Sequence, residues 1–219
     1  LPEILAEGVA SGRLRFTTDM SEARGAKVHF VGVGTPQQKD GYGADLTYVN
    51  AAIDGLVPYL SEGDIVAGKS TVPVGTAAEL TPRVEMAGAT LVWNPEFLRE
   101  GWAVQDTIDP DRLVVGVSSR FTRSTTGEEV DVVAMMKEVY APPVAKDTPF
   151  IVTDLATAEL VKVSANAFLA TKISFINAMA EIAEVVGADV TQLADAIGHD
   201  ARIGRKFLGA GIGFGGGCL

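Results

Sequence analysis

The chain has 219 residues, 47% of them hydrophobic, and carries 28 acidic against 18 basic side chains for a net charge of -10. That is enough apolar material for one or two domains with a sizeable core, and the acidic balance without a basic patch argues against a nucleic-acid partner, although a few placed Lys and Arg can still hold a small phosphate. With one cysteine, Cys218, no intrachain disulfide can form; no Cys/His set has zinc spacing, no segment has the unbroken apolar length of a membrane span, and a cytoplasmic protein without a metal is expected.

The first residues lack the basic and apolar regions of a signal peptide. They read as a helix over 2–11 with Pro2 in its first turn, so the chain is expected to begin within a domain. Alternation over 13–17 predicts a short strand, and 21–25 a short helix. Residues 27–33 form an apolar run that reads as a buried strand stopping at Gly34-Thr35-Pro36. A helix over 46–60, a strand over 64–67 and a helix over 74–87 follow, with Pro82 expected to kink or interrupt the last. Further strands are predicted at 89–93, 112–117 and 150–152, and a helix at 128–140. Strands interleaved with helices of this length predict an α/β fold with a largely parallel sheet. From Asp154 to Val186 there is no Pro or Gly, which predicts one long helix capped by Asp154, stopped at Gly187 and linking two domains. A last helix is predicted over 190–197, ahead of a glycine-rich stretch.

Cys218 follows three glycines, which let the backbone approach a ligand and offer its N–H groups. A lone cysteine is more often a small buried apolar residue, but apolar neighbours are missing here, and the setting favours a nucleophile. Lys162 and Asn166 lie four apart on one face of the long helix, with Glu159 a turn earlier. Lys162 either has a task or reaches solvent and pairs with Glu159. Glu96 and Glu100 follow a strand end, as do Gly34-Thr35-Pro36 and Lys69-Ser70-Thr71-Val72-Pro73. In a parallel sheet those ends form the ligand-binding edge, and four of them pointing one way would build a cleft; the alternative for the two carboxylates is a solvated acidic turn. Arg202, Arg205 and Lys206 gather positive charge suited to a phosphate or carboxylate, or form an exposed basic turn. His29, inside a strand, reads as structural, and His199 has no second histidine nearby.

Six stretches together resemble the UDP-glucose/GDP-mannose dehydrogenase family. They are VGVGTP at 31–36, KSTVPVGT at 69–76, NPEFLREG at 94–101, PDRLVVG at 110–116, AELVKVSANAFLATKISFINAMAE at 158–181, and the pair RIGRKFL at 202–208 with GFGGGC at 213–218. The resemblance covers essentially the whole chain, and six motifs in order are far more specific than any one. It implies a partial Rossmann-like NAD-binding domain over 1–153, its first strands outside the chain. A long central helix and an α-helical substrate and dimerisation domain would occupy 154–219. It implies two successive oxidations of a sugar primary alcohol on a nucleotide sugar, with NAD as the cofactor. Cys218 would form a thiohemiacetal and then a thioester. Lys162 would handle the proton or stabilise the oxyanion, Asn166 would orient the centre, Glu96 would be the base for thioester hydrolysis, and Thr71 would line the same pocket. The cofactor would meet Val33, Gly34, Thr35, Pro36, Ser70, Thr71 and Glu100. The sugar nucleotide would meet Glu96, Phe97, Leu98, Arg99, Glu100, Lys162, Asn166, Arg202, Phe207, Gly209, Gly213, Phe214 and Gly215, with Arg202 reaching a neighbouring subunit of a homodimer.

The family's glycine-rich pyrophosphate turn and ribose acid, and its segments beyond the cysteine, have no counterpart in the sequence. A chain without them is expected to be inactive alone. Arg99-Glu100-Gly101 and Pro110-Asp111-Arg112 look more like the UDP-glucose branch of the family. GDP-mannose or an N-acetylated UDP-sugar is the near alternative, and a non-catalytic dimerisation fragment is the reading from a different class.

Overall fold

The computed structural model describes residues 1–213, so Phe214, Gly215 and Cys218 lie outside the described residues. It divides into two compact units, Leu1–Leu160 and Val161–Leu219.

The first unit is built on a five-stranded sheet. Its strands are β1 (Val28–Val31), β2 (Ile65–Gly68), β3 (Thr90–Trp93), β4 (Leu113–Val117) and β7 (Phe150–Thr153), hydrogen-bonded in that order. A separate hairpin pairs β5 (Phe121–Arg123) with β6 (Glu129–Asp131). Strands β2 and β3 are buried along their whole length and are apolar apart from Thr90 at the start of β3, as central strands covered on both faces must be. On one face Ile65, Ala67, Val92 and Val115 pack with Val132 and Met136 of helix α5 (Val132–Val139). The alternate residues Val66, Leu91 and Val114 point to the other face. Helices α2 (Thr47–Leu56) and α3 (Thr76–Glu85) each bury one stripe, Val49, Ile53 and Leu56 on the first and Ala77, Leu80 and Val84 on the second.

Three of the four strand pairings are parallel, but β3 and β4 run antiparallel, with Trp93 opposite Gly116. This corrects the expectation of four strand ends on one edge. The segment from Asn94 to Arg112 holds only a loop and the six-residue helix α4 (Ala103–Ile108), and it returns to the edge it left. Strands β1, β2 and β3 therefore end at that edge, and β4 and β7 begin there. Gly68 is required at the end of β2, because a Cβ there would stand 2.2 Å from the ring of buried Trp93.

Other expectations change in detail. Residues 13–17 form no strand, since no described strand lies beside them to supply a ladder. The opening helix α1 is Pro2–Ala10, and the helix expected over 21–25 is a 3-10 turn, Met20–Ala23. Pro82 does not interrupt α3. The carbonyl of Pro82 still accepts from Met86 N, the Thr81 hydroxyl donates to Ala77 O at 2.8 Å, and the buried stripe outweighs one lost backbone bond. The helix expected from 128 starts at Val132. Glu129–Asp131 pair instead with Phe121–Arg123, and Asp131 caps α5 by accepting from Ala134 N at 2.9 Å. A four-residue helix, α6 (Ala141–Val144), follows.

Helix α7 (Leu155–Val186) runs for 32 residues, about 48 Å at the usual rise. Asp154 caps it, accepting from Thr157 N at 2.8 Å and from the Thr157 hydroxyl at 2.7 Å, and Gly187 closes it with φ of 72°. In the second unit Ile176 packs with Ala194 of α8 (Val190–Gly198) and with Leu208. No described helix is long and apolar enough to cross a membrane.

Candidate functional site

At the carboxyl edge of β1 and β2, two loops are tied side by side. Ser70 is buried and its hydroxyl donates to Val33 O at 2.6 Å; the Thr35 hydroxyl donates to Thr71 O at 2.7 Å. The ladder continues into them, with Lys69 N donating to Val31 O at 2.8 Å. A Cβ built on Gly32 or Gly34 would meet no atom of the described residues within 4 Å, so among these residues the backbone beside Val33, Thr35 and Pro36 is open on that side. An open glycine and hydroxyl edge at the ends of adjacent parallel strands fits one end of a dinucleotide.

The next loop follows β3. The Glu96 carboxylate accepts from Leu98 N at 2.5 Å and is half-buried, so it is not part of a fully solvated turn, whereas Glu100 is exposed. The Arg112 guanidinium lies 3.9 Å from the Phe97 ring centroid. Arg99 is engaged with Asp106 through its backbone N at 2.8 Å, Nε at 3.0 Å and Nη2 at 2.5 Å. That carboxylate raises the Arg99 pKa, and Arg99 in turn lowers that of Asp106. A cavity of about 310 Å³ opens here, lined among others by Phe30, Lys69, Glu96, Phe97, Arg112 and Tyr140. Leu98 and Arg99 also line it; Val33, Gly34, Thr35, Pro36, Ser70, Thr71 and Glu100 do not.

Beneath that loop lies a cluster that was not apparent from the sequence. Lys69 Nζ donates to Asn94 Oδ1 at 3.1 Å, to Asn94 O at 3.4 Å and to the Tyr140 hydroxyl at 3.1 Å. The Tyr140 hydroxyl donates to Asn94 Oδ1, and Asn94 Nδ2 donates to Val114 O at 2.8 Å. Burial lowers the Lys69 pKa against the charge of Glu96, which raises it, and burial pushes the Tyr140 phenol up to about 12. Lys69 and Asn94 each open one of the six family stretches at a strand end, but nothing in the sequence joined them to each other or to Tyr140. A second unforeseen contact is made by Glu159, which is 2% exposed and accepts from Gly75 N at 2.8 Å and Ala77 N at 2.6 Å. It satisfies the first turn of α3 from the start of α7, where no local side chain caps that helix.

In the second unit Lys162 is only 6% exposed, which overturns the picture of a lysine reaching solvent; Asn166 is half-buried one turn on. Arg202 is exposed and held by Asp200, Nε to Oδ1 at 3.0 Å and Nη2 to Oδ2 at 2.6 Å, which raises its pKa. Arg205 pairs with Asp195 and donates to Leu208 O at 2.9 Å. Phe207 sits at φ of 65°, a backbone region that bulky residues rarely occupy. Gly209 and Gly213 are exposed, and Gly211 N between them donates to Asn177 Oδ1 at 2.9 Å. His29 lies in β1, buried, as a structural residue would.

The tied loops define a dinucleotide-binding α/β domain, and comparison with known proteins supports this. The NAD binding domain of the UDP-glucose/GDP-mannose dehydrogenase family matches residues 1–144, and the central domain of the same family matches 156–219. The chain belongs to that family. It is 45% identical to UDP-glucose 6-dehydrogenase TuaD of Bacillus subtilis (strain 168), over 100% of this chain and 46% of the relative. It is also 45% identical to UDP-glucose 6-dehydrogenase of Rhizobium meliloti (strain 1021), over 100% of this chain and 49% of the relative. A UDP-glucose dehydrogenase structure from Pyrobaculum islandicum matches with a TM-score of 0.83 and 39% identity, over 99% of this chain and 49% of that one. A GDP-mannose dehydrogenase structure from Pseudomonas aeruginosa gives 0.77 and 30%, over 98% and 49%. The chain thus spans about half the length of the curated relatives it matches.

Proposed function

We propose that this protein oxidises the primary alcohol of UDP-glucose to the carboxylate of UDP-glucuronate in two NAD-dependent steps. The observation that carries this reading is 45% identity to UDP-glucose 6-dehydrogenases over the whole chain. Residues 1–153 serve the cofactor and 154–219 the substrate and subunit pairing. Val33, Gly34, Thr35, Pro36, Ser70, Thr71 and Glu100 hold NAD+, which supplies the hydride acceptor when bound. Cys218 bonds to the aldehyde carbon as a thiohemiacetal and remains on it as a thioester, splitting a hard oxidation into easier steps. Lys162 stabilises the oxyanion, or carries the proton, at that carbon, and Asn166 orients it. Glu96 then takes a proton from the water that opens the thioester.

Phe97, Leu98, Arg99, Phe207, Gly209, Gly213, Phe214 and Gly215 grip the nucleotide sugar, with Arg202 contributed across a homodimer. Support for pairing comes from α7, where Phe168, Phe175, Ile182, Val185 and Val186 are exposed. A cytoplasmic setting completes the reading.

The test is product analysis, with NAD+ and UDP-glucose, of the protein in a form that spans the full length of its relatives, because this chain alone is expected to be inactive; GDP-mannose and an N-acetylated UDP-sugar are the comparators. UDP-glucuronate is expected, and none from Cys218→Ala. Normal uronate formation by Cys218→Ala would overturn the nucleophile, and acid formed only from a comparator sugar would overturn the substrate.

A further inference from the structure

We infer that Lys69, Asn94 and Tyr140 are positioning residues: together they fix the Asn94-Pro95-Glu96 turn, so that Glu96 can open the thioester. The inference rests on the role proposed for Glu96.

Asn94 is 1% exposed and its side chain makes three hydrogen bonds. Its Oδ1 accepts from Lys69 Nζ at 3.1 Å and from the Tyr140 hydroxyl, and its Nδ2 donates to Val114 O at 2.8 Å. The ends of β2 and β3, strand β4 and the end of α5 are thereby joined on one side chain. Pro95 follows directly. Its ring fixes its own φ and holds Asn94 extended, so few torsions separate the anchored amide from the Glu96 carboxylate. That carboxylate is steadied again by Leu98 N at 2.5 Å.

Stability alone is a poor reason for this arrangement. The hydrogen-bond acceptors of Lys69 are an amide, a carbonyl and a phenol, all neutral, and its ammonium lies 5.6 Å from the Phe30 ring centroid and 5.7 Å from that of Tyr140. Taking a cation partly out of water is costly, and an apolar side chain of similar shape would serve the core as well. What the ammonium adds is a rigid donor beneath the turn and a positive charge that Glu96 feels.

In the step concerned, the water oxygen bonds to the acyl carbon, its proton passes to the Glu96 carboxylate, and the Cys218 thiolate leaves. Nothing is oxidised or reduced. A displacement of about 1 Å at such a base can cost roughly a hundredfold in rate.

The experiment is stopped-flow and rapid-quench analysis of the intact protein with UDP-glucose and NAD+. Hydride transfers appear as an NADH burst, and hydrolysis sets the later rate. Glu96→Gln should keep the burst and slow the later phase. Lys69→Met should slow the same phase roughly tenfold to a hundredfold, with burst rate and kcat/KM unchanged, KM falling together with kcat. Tyr140→Phe removes one hydroxyl with little risk to folding and should slow that phase by a smaller factor.

If Glu96→Gln slows hydrolysis while Lys69→Met and Tyr140→Phe leave it at the wild-type rate, the inference falls and the role of Glu96 stands. If both variants lose burst and later phase in equal proportion, the cluster is merely structural, which also overturns the inference. If Glu96→Gln itself hydrolyses normally, the reading beneath falls and the inference with it.

Discussion

Each edge of the five-stranded sheet sets a lysine against polar groups, but the two edges do so differently. At the amino edge Lys27 Nζ donates to Asp64 Oδ1 at 3.0 Å, and Ser61 N donates to Asp64 Oδ2 at 2.8 Å. The carboxylate is fully buried while the lysine side chain is 62% exposed, so charge meets charge and the cation keeps its water. At the carboxyl edge Lys69 is half-buried and donates to neutral oxygens. The first arrangement closes the bottom of the sheet. The second holds a desolvated cation under a loop that carries a carboxylate, at the edge where a parallel sheet binds ligands. The same residue type is thus a structural tie at one end and a device for holding charge at the other.

The largest effect on folding should come from the amino edge. Asp64→Ala removes the acceptor of two hydrogen bonds and leaves Ser61 N–H and His29 without the carboxylate they face; His29 Nε2 lies 3.6 Å from it and has no hydrogen-bond partner among the described residues. Hydrogen bonds to a charged group contribute about 1.5–3 kcal/mol, and a loss of that size is expected in urea unfolding. The kcat of the folded protein should not change. A fall in kcat comparable with that of Lys69→Met would erase the distinction between the edges.

This distinction was only half legible in the sequence. The runs at 64–67, 89–93 and 112–117 announce central strands, which need apolar residues on both faces. Those at 27–33 and 150–152 instead form the edge strands β1 and β7 of the described sheet, with Phe30, Ile151 and Val152 exposed, so 27–33 is a buried strand only in part. The run at 112–117 does not reveal its direction, which depends on how the 94–112 segment folds back. The hairpin was illegible because Phe121–Arg123 and Glu129–Asp131 are three residues each and none of them is fully buried, so burial leaves no pattern. The cap Asp131 was present, but Glu128 and Glu129 before it are ordinary helix formers. Thr35, Ser70 and Thr71 could be named from their strand ends. Lys69, Asn94 and Tyr140 could not be grouped, since 25 residues separate the first pair and 46 separate Asn94 from Tyr140, and only the sheet order brings them together.

A smaller effect should appear at high pH, and only at the carboxyl edge. Burial pushes the Tyr140 phenol up to about 12 from an ordinary value of 10.0. A group whose pKa is higher when folded contributes stability that is fully present below the unfolded value and is lost as pH rises through the folded value. Unfolding followed from pH 9 upward should therefore show a loss between about 10 and 12 that Tyr140→Phe lacks. Identical alkaline profiles for the two proteins would mean that the hydroxyl is not held in the cluster.

The smallest effect lies at low pH and sharpens the comparison from outside both edges. Asp154, unlike Asp64, is an exposed carboxylate, and its contribution should reside in the cap of α7. The backbone N–H of Thr157, and next its hydroxyl, hold the Asp154 carboxyl below the ordinary value of 3.8. The sign is opposite to that of Tyr140: the contribution is present above the unfolded carboxylate pKa and fades as pH falls through the lower folded value. Asp154→Asn keeps a good cap and removes the charge, whereas Asp154→Ala removes both. At neutral pH the thermal midpoints should rank wild type above Asp154→Asn above Asp154→Ala, with modest gaps. Below pH ~3 the gap between wild type and Asp154→Asn should close, because a protonated carboxyl caps no better than an amide, while Asp154→Ala stays lowest. A wild-type advantage over Asp154→Asn that survives unchanged into acid would show that the carboxylate charge contributes nothing at the start of this helix.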